Sequence, residues 1–150
     1  MHKLSRSSVF SMSGPSMSTS SESCTACTQA AALATELMNA ATSFHKLHLK
    51  VTGLGSYAAH KALNEIYDAL PGHADDLVEG FQGAAEKLLD LPNTMPRTLS
   101  TVEDAISYLK DLSSQVDSLQ AIMPYSQIVN DLDNVKSSID GVKYKLIFLK

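Results

Sequence analysis

Apolar residues recur at steps of three and four along most of this chain, a period that belongs to helices rather than strands. Ala30, Leu33, Leu37, Ala41, Phe44 and His48 form the first such stripe, which starts near Cys24. It ends on a histidine, so His48 is expected to point inward. Gly53 and Gly55 in VTGLGS then break the helix and allow the chain to reverse. A second helix is predicted from about Tyr57 towards Leu89. Its apolar face comprises His60, Leu63, Tyr67, Leu70, Ala74, Leu77, Val78, Phe81, Ala85 and Leu88. Pro71-Gly72 falls in the middle. Proline withholds one backbone donor and crowds the preceding turn, costing about 3 kcal/mol unless packing offsets it. The period keeps its phase on both sides, so a kink is predicted there rather than a break.

The segment LPNTMPRTLS, with two prolines, reads as a connector. Ser100 and Glu103 fit a capping box that opens a third helix. Its stripe is Val102, Ile106, Leu109, Leu112, Val116 and Leu119. Pro124 interrupts, and a fourth helix carries Ile128, Leu132, Val135, Ile139, Val142 and Leu146. Four helices of roughly 20 to 30 residues, with no convincing strand, predict an all-α four-helix bundle. The bundle is assigned to residues 24–150. Residues 1–23 are rich in serine and poor in apolar side chains, so a disordered tail is expected there.

Composition narrows the function classes. A chain of 150 residues is one domain with room for a real core. Its net charge of −4 argues against broad phosphate neutralisation. Lys3 and Arg6 are too few to make a polybasic arm, so DNA binding is not expected. No run of 18 apolar residues exists, so no membrane span is expected. The N-terminus lacks the apolar core of a secretory signal, although residues 1–23 carry no acid before Glu22, as organelle transit peptides do. A cytoplasmic location is expected, with an organelle or a virion as alternatives. Cys24-Thr-Ala-Cys27 is a CxxC at a helix start, where the helix dipole lowers a thiol pKa. A redox pair, or half of a zinc site completed by a second subunit, would use such a motif; with no second CxxC and no surrounding βαβ pattern, a functional role is not the leading expectation.

The candidate chemistry lies in a second spacing. His48 precedes His60 by twelve residues, and Asp75 and Glu79 follow at fifteen and nineteen. All four side-chain types ligate iron or zinc. A helix rises about 1.5 Å per residue, so His60 and Asp75 are roughly 22 Å apart on one rod and cannot share an ion within a chain. Across a two-fold axis they can. The pairs 60/79 and 64/75 are both centred between Ala69 and Leu70, so an antiparallel copy would bring Asp75 and Glu79 of one subunit to His48 and His60 of the other. A single histidine reads as a core residue satisfied by a backbone carbonyl; the pair, in register with two carboxylates, reads as a metal site. His45 is read as solvent-facing, and His73, Asp68 and Asp76 as solvated helix positions. Glu65 lies about 100° round the helix from Asn64 and is not expected to replace it.

His48-Leu-Lys-Val51-Thr-Gly53, then His60, Leu63, Glu65, Tyr67-Asp68, Leu70, His73-Ala74-Asp75 and Glu79 resemble the Dps family, the ferritin-like mini-ferritins of starved cells. The likeness is strongest over the first two helices and covers about residues 28–150. It implies a ferritin-like bundle that dimerises and assembles into a hollow shell of twelve subunits. It implies iron sites at each two-fold, with His48, His60 and position 64 from one subunit and Asp75 and Glu79 from its partner. Fe(II) would be oxidised there, with hydrogen peroxide as the preferred oxidant, and stored as Fe(III) mineral. Imidazoles suit Fe(II), and carboxylates stabilise the harder Fe(III) product. Zinc or manganese are alternative occupants.

Three departures stand beside the likeness. Asn64 takes the place of a carboxylate, so the site loses a negative charge and iron affinity is expected to fall. Leu49 takes the place of a frequent tryptophan. The connector is roughly a dozen residues shorter than in the family. Ten extended residues at about 3.6 Å each barely run the length of a long helix, so a ferritin-type crossover requires the second helix to end before Leu89. An up-down-up-down bundle is the alternative topology. These departures also support a rival expectation: a non-catalytic structural or assembly protein, for example phage-encoded, with a degenerate metal site inherited from a Dps ancestor.

Overall fold

Each of the four stripes becomes a helix in the computed structural model, which describes residues 24–150. They are α1 (Thr25–His48), α2 (Ser56–Ala85), α3 (Val102–Gln120) and α4 (Ser126–Phe148). No strand occurs among the described residues. The tail expected over residues 1–23 lies outside them.

The stripes meet in one core. α4 buries Ile128, Leu132, Val135, Ile139, Val142 and Leu146. α3 is rotated slightly from expectation: Ala105 and Tyr108 are buried, while Val102 and Ile106 are half-buried. On α2, Ala59, Ala62 and Ile66 join Leu63, Leu70, Ala74, Leu77 and Phe81 in the interior. The helix passes through Pro71 without a break, and Pro71 itself is exposed. Only the Tyr67 carbonyl is denied its helical donor there.

α2 stops at Ala85, four residues short of Leu89, because Gln82 supplies the stop. Glu86 turns left-handed at φ 51°, the Lys87 N–H donates to the Gln82 carbonyl, and the Leu89 N–H donates to Gln82 Oε1 at 2.9 Å. Leu88, apolar and in phase, lies beyond the helix and is exposed.

The cap of α3 falls one residue later than Ser100 and Glu103. Thr101 accepts the Asp104 N–H, while the Asp104 carboxylate accepts the N–H groups of both Ser100 and Thr101 at 2.9 Å. Those two backbone bonds hold the Asp104 pKa below its ordinary value. A depressed carboxylate pKa stabilises the fold above the unfolded-state value, and the contribution disappears as pH falls through the folded one. Acid titration of the helical circular dichroism signal should therefore show a loss below the ordinary carboxylate range that Asp104→Asn makes smaller. An unchanged acid limb in the variant would contradict the assignment.

The segment between α2 and α3 decides the topology. Lys87 to Asp90 lie beside Cys24, Cys27 and Thr28 at the start of α1. Further along, Asn39 Nδ2 donates to Thr94 Oγ1 at 2.8 Å, and Ser43 Oγ donates to the Arg97 carbonyl at 2.7 Å. Ser100 and Thr101 finally border the same cleft as Lys50 and Val51 at the end of α1. The connector therefore runs the length of the bundle alongside α1, and α3 starts at the end where α2 started. The packed pairs are α1 with α2, α2 with α4, α4 with α3 and α3 with α1. α2 and α3 are thus diagonal and parallel, joined by one long crossover. Up-down-up-down order would make them neighbours.

Arg97 fastens this strap. Its guanidinium lies 4.0 Å from the Tyr108 ring centroid, 3.1 Å from Glu36 Oε1 and 2.7 Å from Asp111 Oδ2. The Tyr108 hydroxyl donates to the same Glu36 oxygen at 2.7 Å. Burial, reinforced by that bond, pushes the Tyr108 pKa up, so the phenol stays a donor.

Candidate functional site

α1 ends on His48, and the turn to α2 needs two left-handed glycines, Gly53 at φ 87° and Gly55 at φ 76°. A Cβ on Gly55 would sit 3.3 Å from the Lys150 backbone, so the reversal is also closely packed. The turn lays His60, in the second turn of α2, against His48. Their rings stack with centroids 3.9 Å apart.

The two imidazoles hold each other's backbone. His48 Nδ1 lies 3.3 Å from the His60 carbonyl, and His60 Nδ1 lies 3.0 Å from the His48 carbonyl. A carbonyl only accepts, so each Nδ1 carries the proton and donates. In the neutral ring this leaves Nε2 as the lone-pair nitrogen, one of the two tautomers in which a histidine can ligate a metal. The His48 carbonyl, an otherwise orphaned helix-terminal acceptor, is satisfied by the same arrangement. Each ring is thus satisfied by a backbone carbonyl through Nδ1, as expected of a core histidine, and its Nε2 makes no backbone bond. His48 is only 7% exposed, and His60 is half-buried.

Tyr67 completes the cluster; the sequence placed it in the apolar face and in the matched motif but gave it no role at the site. Its hydroxyl lies 3.5 Å from His48 Nε2 and donates to Asn64 Oδ1 at 3.0 Å. Asn64 Nδ2 in turn donates to Asp68 Oδ2 at 2.5 Å. The amide oxygen of Asn64 is therefore already accepting a proton. Asp68, read as a solvated position, is the exposed end of this chain of bonds. His45 is exposed as expected, yet its ring stacks on Tyr67 at 4.0 Å. The only local sign of Tyr67's role was its spacing, one turn beyond Asn64.

Asp75 and Glu79 are exposed and stand about four and five turns further along α2 than His60. The structure brings His48, His60 and Asn64 together and leaves both carboxylates apart. Among the described residues no group of three or more His, Cys, Asp or Glu side chains could hold a metal within one chain. Steps of eleven residues relate Asn64 to Asp75 and Asp68 to Glu79. Eleven residues are close to three full turns, so all four share one outward face of α2.

Two neighbours are committed elsewhere. Glu65 pairs with Lys145 of α4, which removes it as a substitute for Asn64. His73 is half-buried rather than solvated, and its Nε2 is 2.8 Å from Ser138 Oγ. Burial lowers its pKa against the opposing charges of Asp76 and Asp131.

Cys24 and Cys27 form a disulfide, so in this form neither sulfur is the thiolate a zinc ion requires. No helix among the described residues is long and apolar enough to cross a membrane.

Residues 48–146 match the model of a family described as a family of unknown function (DUF5856). No curated protein and no solved structure matches the chain. The matched segment starts at His48 and holds Asn64, Tyr67, Asp75 and Glu79 as well as both imidazoles. It spans well over half of the sequence, and the chain accordingly belongs to the DUF5856 family.

Proposed function

We propose that this protein is a Dps-like, ferritin-like iron protein that binds Fe(II), oxidises it with hydrogen peroxide and retains the Fe(III) product in a homo-oligomeric shell. The observation that carries this reading is the reciprocal bonding of His48 and His60, which fixes two stacked rings through Nδ1 and leaves Nε2 of each as the lone-pair nitrogen. The long crossover between diagonal helices also supports it, since ferritin-like bundles are distinguished by one such connection.

Fe(II) is the substrate. The paired imidazoles suit that borderline ion, and the Asp75 and Glu79 carboxylates of a second copy would favour the harder Fe(III) as it forms. Two Fe(II) ions each supply one electron to break the O–O bond of peroxide. Asn64 orients its oxygen towards the cluster through Asp68, and Tyr67 holds a proton between that oxygen and His48. Zinc or manganese could use the same donors. The outward face shared by Asn64, Asp68, Asp75 and Glu79 is the surface across which an antiparallel α2 would have to pack.

A second reading rests on Asn64. Its amide makes hydrogen bonds to Tyr67 and Asp68, and no carboxylate replaces it, as would suit a non-catalytic assembly protein that has lost its metal. Native mass measurement combined with elemental analysis after anaerobic iron loading separates the two. The iron reading expects a particle of about twelve 16.1 kDa chains carrying iron at its two-folds. A monomer without iron would refute it, and a metal-free particle would favour the assembly role.

A further inference from the structure

The Cys24–Cys27 disulfide has no part in the iron reading, and its setting is unlike that of a structural staple. The bonded residues are only three apart in sequence, so the cross-link closes a very short loop and restrains little of the unfolded chain. α1 is already held by a full buried stripe from Ala30 to Leu47. Both cysteines are half-buried, and they open onto a cleft of about 210 Å³ bordered by Thr28, Lys87, Leu88 and Asp90.

The two sulfurs are not equivalent. Cys24 is the N-cap of α1, and its Sγ accepts the Cys27 N–H at 3.1 Å. It occupies the positive end of a 24-residue helix whose first turn contains no acidic side chain to compete for that field. Negative charge on sulfur is therefore favoured at Cys24, and Lys87 adds a cation at the rim of the cleft.

We propose that Cys24–Cys27 is a redox-active disulfide that oxidises dithiols entering this cleft, with Cys24 as the thiolate released first. A substrate thiolate attacks the Cys27 sulfur and forms a mixed disulfide there. The Cys24–Cys27 bond breaks, and its electron pair leaves on Cys24. The second substrate thiol loses its proton and attacks the substrate's own sulfur, so Cys27 leaves and takes up a proton. Two electrons pass from substrate to protein, and the substrate departs as a disulfide.

The test uses the full chain. The protein is reduced natively with excess dithiothreitol, freed of reductant and exposed near neutral pH to limiting iodoacetamide, with each cysteine followed by peptide mass spectrometry. Cys24 should alkylate at least about tenfold faster than Cys27. With oxidised glutathione, reduced Cys27→Ser should accumulate a mixed disulfide at Cys24, whereas Cys24→Ser should form one at Cys27 at least about tenfold more slowly. Serine at position 24 preserves a capping acceptor, and circular dichroism checks that α1 is intact. Equal reactivity of the two thiols, or a disulfide that dithiothreitol opens only in denaturant, would overturn the proposal. Neither result depends on iron.

Discussion

Fe(II) oxidation driven by peroxide is expected to fall to the uncatalysed rate when His48 and His60 are both replaced by alanine, a loss of about a hundredfold or more. The double replacement removes both fixed Nε2 donors and leaves the His48 carbonyl, at the end of α1, without a partner. Asp75→Asn with Glu79→Gln should be equally inactive, although neither residue approaches the histidines of its own chain. The sharper result comes from co-expressing the two inactive variants. A mixed dimer then holds one site with intact histidines from one subunit and intact carboxylates from the other. Random pairing makes about half of the dimers mixed, so about a quarter of the wild-type rate should return. Wild-type rates in the histidine variant would end the ferroxidase reading. Failure of the mixture to recover would end the shared-site geometry.

Arg97→Met should produce the second large effect, this time on stability. Methionine keeps most of the apolar stem but abandons the bonds to Glu36 and Asp111 and the contact with the Tyr108 ring. Asp111 is mostly exposed and adds little. Glu36 is the costly partner: its side chain is 19% exposed, and its charge would be left facing only the Tyr108 hydroxyl. Hydrogen bonds to charged groups contribute about 1.5–3 kcal/mol, so a loss of about 2 kcal/mol is expected in urea unfolding. Adding Glu36→Gln to Arg97→Met should cost less than the sum of the single changes, because the stranded charge disappears with it. Strict additivity would show that the two groups do not act on each other.

Local pattern made the helices legible. The α4 stripe is buried at every position expected, because one face of that helix meets the core with no competing demand. Boundaries were less legible where two local solutions existed. Ser100 with Glu103 and Thr101 with Asp104 both satisfy the capping pattern, and the choice fell to the Asp104 carboxylate, which can take two backbone donors at once. Leu88 continued the period of α2, yet Gln82 closed that helix first.

The candidate site divides in the same way. The spacing of His48 and His60 could be read along the chain, since a glycine turn must bring two consecutive helices together. The bonding of each ring to the other's carbonyl could not, because it depends on how closely the helices approach. Tyr67 looked like any aromatic of an apolar face, and only its hydroxyl between His48 and Asn64 sets it apart. The association of Arg97, Glu36, Tyr108 and Asp111 joins three segments and leaves no spacing to detect.

The diagonal passage from α2 to α3 has a kinetic corollary. A hairpin of α1 and α2 can nucleate from neighbouring residues, whereas α3 cannot dock until some sixteen residues have been threaded past the whole of α1. The C-terminal hairpin should therefore join late, with its Asn39–Thr94 and Ser43–Arg97 tethers acquired near the end of the reaction. Synthesis on the ribosome presents the segments in that same order. The His48–His60 pair could thus assemble before the second half of the molecule has emerged.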